Sequence, residues 1–284
     1  MNETLDPRRH AYRKDLADID LKGQVEAQRF IEGETFQVTE PSARLHGEPL
    51  SDTYMVTEAL YGEHISVYEV HEGWVWGQLE RDGYVGYLPQ SALKLGRAAS
   101  THRVSALRTY IFPGPDIKLP PRALISMEAE LAVVRNEGQF AVTADGGYVM
   151  AQHLSALNQH ADDFVSVAEL FVGAPYRWGG KQSIGLDCSG LVQVALHRAG
   201  MACPRDSDMQ EAELGRTLDD TQNLSQLRRG DLIFWQSHVG IMLDETRLLH
   251  ANGHHMATAI EPAAQAVARI AANHGPVTSL KRLV

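Results

Sequence analysis

The sequence predicts an α+β chain, with small all-β units in its first half and mixed helices and strands in its second. Three observations carry this. Between residues 65 and 87, short runs of β-branched and aromatic residues alternate with glycine turns. Gly83-Tyr84-Val85 and Ser91-Ala92-Leu93 return further on as Gly147-Tyr148-Val149 and Ser155-Ala156-Leu157, the mark of a repeated unit. From about residue 158 the apolar residues take up helical spacing.

Residues 1–34 are charged and weakly patterned and read as an N-terminal arm. Residues 35–97 and 98–157 read as two small β-barrels in tandem. In the first, Ile65–Val70, Trp74–Leu79 and Tyr84–Tyr87 are strands, parted by Glu72-Gly73 and Asp82-Gly83, where glycine tolerates a positive φ. Trp74 and Trp76 share a strand face and read as barrel core. In the second copy Asn136-Glu137-Gly138 matches His71-Glu72-Gly73. Pro113-Gly114-Pro115 and Pro120-Pro121 mark a long loop there.

Residues 158–284 read as a further domain. A helix over Asp162–Phe171 stops at Gly173, with Pro175 beyond. A second, Cys188–Ala199, carries Leu191, Val192, Ala195, Leu196 and Ala199 on one face and stops at Gly200. Strands follow at Asp231–Trp235, His238–Leu243 and Leu248–Ala251. Glu261–Ala272 reads as the last helix, with Pro262 in its first turn.

Apolar residues make up 44% of the chain, enough for ordinary soluble cores. A net charge of −10 argues against a nucleic-acid footprint or an anionic membrane surface. No apolar run is long enough to span a bilayer, and the first residues lack a signal-peptide pattern. The expected compartment is therefore the cytoplasm, with Cys188 and Cys203, the only two cysteines, as free thiols. No nucleic-acid or membrane partner is expected, and the oligomeric state stays open.

The chemistry centres on Leu186-Asp187-Cys188-Ser189-Gly190. A cysteine in the first turn of a helix meets unpaired N–H groups and the positive end of the dipole. Both favour thiolate, and the same N–H groups can hold an oxyanion. Cys188 alone could equally be a small buried apolar residue. His238 opens a strand, a rigid mount for a base. His250 lies on the next strand, and a three-residue turn at Asp244-Glu245-Thr246 would put both rings on one face, whereas a four-residue turn would not. His250, His254 and His255 lack the spacing of a metal motif, so neither metal nor cofactor is expected.

Six ordered blocks now resemble one family. They are Pro175-Tyr176-Arg177-Trp178-Gly179-Gly180, Gly185–Val192, Pro204-Arg205-Asp206-Ser207 with Gln210, Arg229–Phe234, His238-Val239-Gly240-Ile241, and His250-Ala251. Together they resemble the motifs of NlpC/P60 cysteine peptidases. The resemblance implies a papain-like catalytic domain with Cys188 as nucleophile, His238 as base and His250 orienting it. It also implies that Tyr176 aids the oxyanion or the substrate, and that Asp187 and Ser189 bind substrate, Asp187 also capping its helix.

The repeat region resembles the bacterial SH3 domains that precede this domain in a subgroup of the family. That subgroup cleaves the bond between γ-D-glutamate and the next diamino acid of peptidoglycan stem peptides. Its first SH3 domain helps close the groove, so a free N-terminal L-alanine is required. By this resemblance Glu63 and Tyr84 face the substrate amine, and the protein acts in cell-wall recycling on murein peptides. The alternatives are an amidase or acyltransferase with the same triad, or a non-catalytic binder of wall fragments.

Overall fold

Glu72 and Gly73 both take left-handed backbone, with φ of 47° and 79°. They form the two-residue turn that pairs His71 with Trp74, the geometry that matches strand twist. Residues 34–95 fold as one seven-stranded antiparallel sheet. Its order is Met55–Leu60, Ser42–His46, Val85–Pro89, Trp74–Leu79, His64–His71, Glu34–Val38 and Leu93–Leu95. The computed structural model describes residues 5–221 and 223–283, and the chain divides into two units, 1–158 and 159–284.

The segment expected as an arm packs on this first sheet. Its residues 1–4 lie outside the described residues. Leu16–Asp18 pairs in parallel with Arg29–Ile31, and Ala11 and Leu16 are buried with Tyr68 and Trp76. Arg13 stacks 4.4 Å from the Trp76 ring centre and pairs with Glu69 at 2.6 Å. The segment reads as weakly patterned because an arginine, not a large hydrophobe, covers the tryptophan.

Three smaller sheets follow. His102–Val104 lies between Glu130–Leu131 and Leu154–Ala156. Arg108–Ile111 pairs with Ala123–Ser126 across the proline loop, and Phe140–Thr143 lies between Val133–Glu137 and Tyr148–Met150. Val104, Ile111, Ile125, Leu131 and Val149 form their core. In both halves the last strand pairs with the first, Leu93 with Val38 and Ala156 with His102. In both, a 3₁₀ turn precedes that last strand, at Gln90–Ala92 and Ala151–His153. Leu93 thus corresponds to Leu154. The Ser-Ala-Leu match in the sequence is out of step, because Tyr148–Met150 is a shorter strand than Val85–Pro89.

Among the described residues the second unit carries four α-helices and, as its main sheet, six antiparallel strands. The sheet order is Arg216–Thr217, Ser279–Arg282, Asp231–Trp235, His238–Met242, Arg247–Asn252 and Ala257–Pro262. Ile233, Trp235, Met242 and Leu248 are buried against Ala263, Ala266 and Ile270 of the helix Ala263–His274. Burying side chains of this size contributes about 1.5–3 kcal/mol each. That helix starts at Ala263, not Glu261 as expected. Pro262 sits at its cap with extended backbone, and a residue before proline is pushed out of the helical region. Glu261 therefore ends a strand, opposite Leu248. The helix expected over Asp162–Phe171 is shorter, Phe164–Glu169, with Asp163 accepting from the Val165 N–H at 2.9 Å.

Candidate active site

Two turns aim the histidines. Gln236-Ser237 is a two-residue turn that pairs Trp235 with His238, with Ser237 held at a φ of 60°. The next turn spans Asp244–Thr246: the Leu243 N–H donates to the Arg247 carbonyl at 2.8 Å, and Asp244 Oδ1 accepts from the Thr246 and Arg247 N–H groups. Its three residues set Ile241 opposite Leu249 and Met242 opposite Leu248. His238 and His250 consequently share a face, and His238 Nε2 lies 2.8 Å from His250 Nδ1.

The hydrogen-bond chain continues beyond the expected set. His250 Nε2 lies 2.7 Å from Glu261 Oε1, and Arg269 donates to the same oxygen. Sequence reasoning missed Glu261 by placing it on a helix. The signal available was Pro262, which forces its neighbour to extend.

Cys188 is the first residue of the helix Cys188–Arg198. Gly190 allows that first turn to approach residues 179–180, since a Cβ there would lie 2.2 Å from the Gly180 carbonyl oxygen. The thiol is buried, 6% exposed. Burial, then the Asp187 charge, push it up to about 12, against the Val239 and Ser189 N–H groups and Arg205. The expected helix-end thiolate is thus reversed in the resting site. Burial, then His250 and Arg269, push His238 down to about 3. Burial and then Arg269 do the same to His250. Burial thus favours the neutral form of all three groups.

Asp187 caps its helix as expected, with Oδ1 accepting from the Gly190 N–H at 2.7 Å. Oδ2 accepts from the Gly179 N–H at 2.7 Å. Arg205, 1% exposed, donates to both oxygens at 3.0 and 2.8 Å and to Ser189 Oγ at 2.8 Å. Asp187 and Ser189 are the two residues of this turn expected to bind substrate. Both side chains are buried and engaged with Arg205, which holds the Cys188 turn to the glycine loop. Gln210 adds to this, donating to the Ser189 and Pro204 carbonyls at 3.0 and 2.9 Å. The sequence flagged Arg205 and Gln210 only as motif positions.

Tyr176 is half-buried and lines a cleft of about 780 Å³ with Trp178, His238, His250 and Arg269. Burial, then Cys188 and Asp187, raise its hydroxyl above the ordinary tyrosine range, so it stays a donor. His250, His255 and Glu261 hold potential metal ligands within 4.8 Å of one another. Two of those atoms, His250 Nε2 and Glu261 Oε1, are already spent on each other.

Glu63 and Tyr84 belong to the first unit and are both buried, 2% and 4% exposed. Glu63 Oε2 accepts from the Leu60 N–H at 3.1 Å, and Oε1 lies 3.3 Å from Arg81 Nε. Arg81 also pairs with Glu130 at 2.6 Å. Glu63 thus meets the Arg81 guanidinium within its own unit.

Residues 173–269 match the NlpC/P60 family, and residues 45–93 match the bacterial dipeptidyl-peptidase Sh3 domain. The chain is 26% identical over 234 residues to dipeptidyl-peptidase 6 of Lysinibacillus sphaericus, covering 74% of this chain and 84% of that protein. It is 25% identical over 227 residues to a gamma-D-glutamyl-L-lysine dipeptidyl-peptidase of Bacillus cereus, covering 69% and 66%. The fold resembles the crystal structure of an NlpC/P60 family protein from Bacillus cereus, with a TM-score of 0.71, 18% identity and coverage of 87% of this chain and 99% of that one. An NlpC/P60 endopeptidase from Photobacterium damselae gives a TM-score of 0.62 at 14% identity, covering 92% and 74%. Sequence motifs, fold and relatives agree: the chain carries an NlpC/P60 peptidase domain and a bacterial SH3 domain of the dipeptidyl-peptidase type.

Proposed function

We propose that the protein is a cysteine endopeptidase that cleaves the γ-D-glutamyl–diamino acid bond of peptidoglycan stem peptides with a free N-terminal L-alanine. The observation that carries the chemistry is the His238–His250 hydrogen bond beside a cysteine at a helix start. The substrate rests on the activity named for the relatives and on the dipeptidyl-peptidase type of the SH3 domain. Residues 35–97 and 98–157 are read as two SH3-like barrels. The residues proposed for the substrate amine are Glu63 and Tyr84, on the resemblance of the SH3 region. A role in recycling wall fragments in the cytoplasm is part of the same proposal, with cell fractionation as its test.

In this mechanism His238 takes the Cys188 proton as sulfur attacks the γ-glutamyl carbonyl carbon. The carbon–sulfur bond forms and the carbonyl electrons move to oxygen, which main-chain N–H groups at the helix start and the Tyr176 hydroxyl receive. The imidazolium then gives its proton to the leaving amine as the carbon–nitrogen bond breaks. Water, deprotonated by His238, hydrolyses the thioester and restores the thiol. The test is incubation with L-Ala-γ-D-Glu-diaminopimelate and with its N-acetylated form, followed by mass spectrometry. Release of L-Ala-γ-D-Glu from the free peptide alone is expected. An uncut free peptide refutes the activity, and equal cleavage of both refutes the amine requirement.

A further inference from the structure

The strand pairing that misled the sequence reading has a chemical consequence. His250 is opposite Ala259, and Glu261 lies two residues beyond on the same face. A long side chain reaches across such a diagonal. Glu261 Oε1 accordingly meets His250 Nε2 at 2.7 Å. Arg269, one of the residues lining the cleft, donates to the same oxygen and fixes it.

An ionised carboxylate only accepts hydrogen bonds. His250 must therefore carry its proton on Nε2, leaving Nδ1 as an acceptor. That Nδ1 lies 2.8 Å from His238 Nε2, so His238 carries its own proton on Nε2. The lone pair of His238 is then on Nδ1, the one ring nitrogen left to take a thiol proton. The Cys188 sulfur meets the N–H of Val239, the residue that follows His238. If His250 held its proton on Nδ1, His238 would have to turn its lone pair away from the thiol.

We infer that Glu261 is a positioning residue, which through His250 sets the tautomer of His238, with Arg269 holding its carboxylate oxygen in place. The inference rests on the triad reading above. It adds a carboxylate that touches neither substrate nor nucleophile and decides which nitrogen can act as base. The ion pair with Arg269 makes Glu261 an orienting acceptor with little net charge. A neutral acceptor at the same place therefore serves nearly as well.

The test uses the full chain and two variants, Glu261→Ala and Glu261→Gln. Long-range nitrogen–proton NMR of the imidazoles reads the tautomers directly. Nε2–H forms at both His238 and His250 are expected in the wild type and in Glu261→Gln, where Arg269 keeps the amide oxygen facing His250. A mixture is expected in Glu261→Ala. On the tripeptide, Glu261→Ala should lower kcat by about 10- to 100-fold with KM within about twofold, the range for losing a group that orients a functional histidine. Glu261→Gln should recover most of that loss. An Nδ1–H tautomer at His238 in the wild type overturns the inference. So does a folded Glu261→Gln as poor as Glu261→Ala, or a Glu261→Ala with normal kcat. If the wild type leaves the peptide uncut, the proposed activity fails, and the NMR reading still decides the role of Glu261.

Discussion

Arg205 is the buried cation that the catalytic turn leans on, and its removal has a calculable cost. Arg205→Met keeps most of the side-chain volume and deletes the guanidinium that holds the Asp187 carboxylate at 2.8 and 3.0 Å. The two side chains are 1% and 9% exposed, so solvent cannot replace the lost partner. Breaking a buried pair from one side costs about 3–5 kcal/mol. At about 3 °C per kcal/mol, that is a fall of roughly 9–15 °C in the melting of the second unit. Asp187→Asn combined with Arg205→Met leaves no uncompensated charge, and should recover about half of the loss. A second readout follows from the thiol. With Asp187 unopposed, Cys188 is pushed further up, and its alkylation by iodoacetamide should slow. The assays are thermal melting of the wild type, both single variants and the double variant, with alkylation followed by mass spectrometry. An Arg205→Met protein within about 1 kcal/mol of wild type, alkylated at the same rate, would refute the buried-pair reasoning.

Cys188→Ala should abolish hydrolysis while Cys203→Ala retains it, measured on the tripeptide; normal turnover by Cys188→Ala would end the mechanism. His238→Ala should be nearly as damaging as loss of the thiol, because the groups act as a unit. His250→Ala should lose less, and His250→Gln should regain part of it. Equal and complete loss at both histidines, with folding intact, contradicts the assigned roles. Stability should fall as pH drops below about 6.5, because unfolded histidines protonate there while buried His238 and His250 stay neutral down to about 3. The unfolded state then binds more protons, which at pH 5 costs about 2 kcal/mol per ring. Denaturation midpoints at pH 7 and 5 read this, and His250→Gln should flatten part of the fall; identical midpoints in the wild type would disprove it.

The placement of Cys188, His238 and His250 was legible because each sits in a local pattern. Cys188 follows a capping aspartate and precedes a helical apolar face. His238 and His250 open and occupy strands for which a three-residue turn, one of two the sequence allowed, gives the shared face. Three strands of the seven-stranded sheet were legible for similar reasons, since Glu72-Gly73 encodes a specific turn. Features made across the chain were not legible. Arg205 finds Asp187 only once the Cys188 helix, the glycine loop and the segment at 204–210 have come together. Glu261 finds His250 only through a strand register that depends on where Pro262 stops the helix from starting. Burial was equally hidden. The sequence placed Glu63 on a turn, where a charge is normally solvated, and gave no sign that Arg81 would cover it.

Burial also changes how the nucleophile must work. Burial pushes the Cys188 thiol up to about 12 and His238 down to about 3, so charging either group carries a desolvation cost that the attraction between the two charges must offset. The cost falls when the negative charge does not stay on sulfur. As the carbon–sulfur bond forms, charge passes to the carbonyl oxygen, which N–H groups at the helix start and the Tyr176 hydroxyl are proposed to receive. Proton transfer and attack then belong to one step, and the site stabilises the transition state more than the free thiolate. This places a strict demand on His238. Its lone pair must face the sulfur when the substrate arrives, because that nitrogen receives the thiol proton. The chain from His238 through His250 to Glu261 and Arg269 meets that demand with hydrogen-bond direction alone.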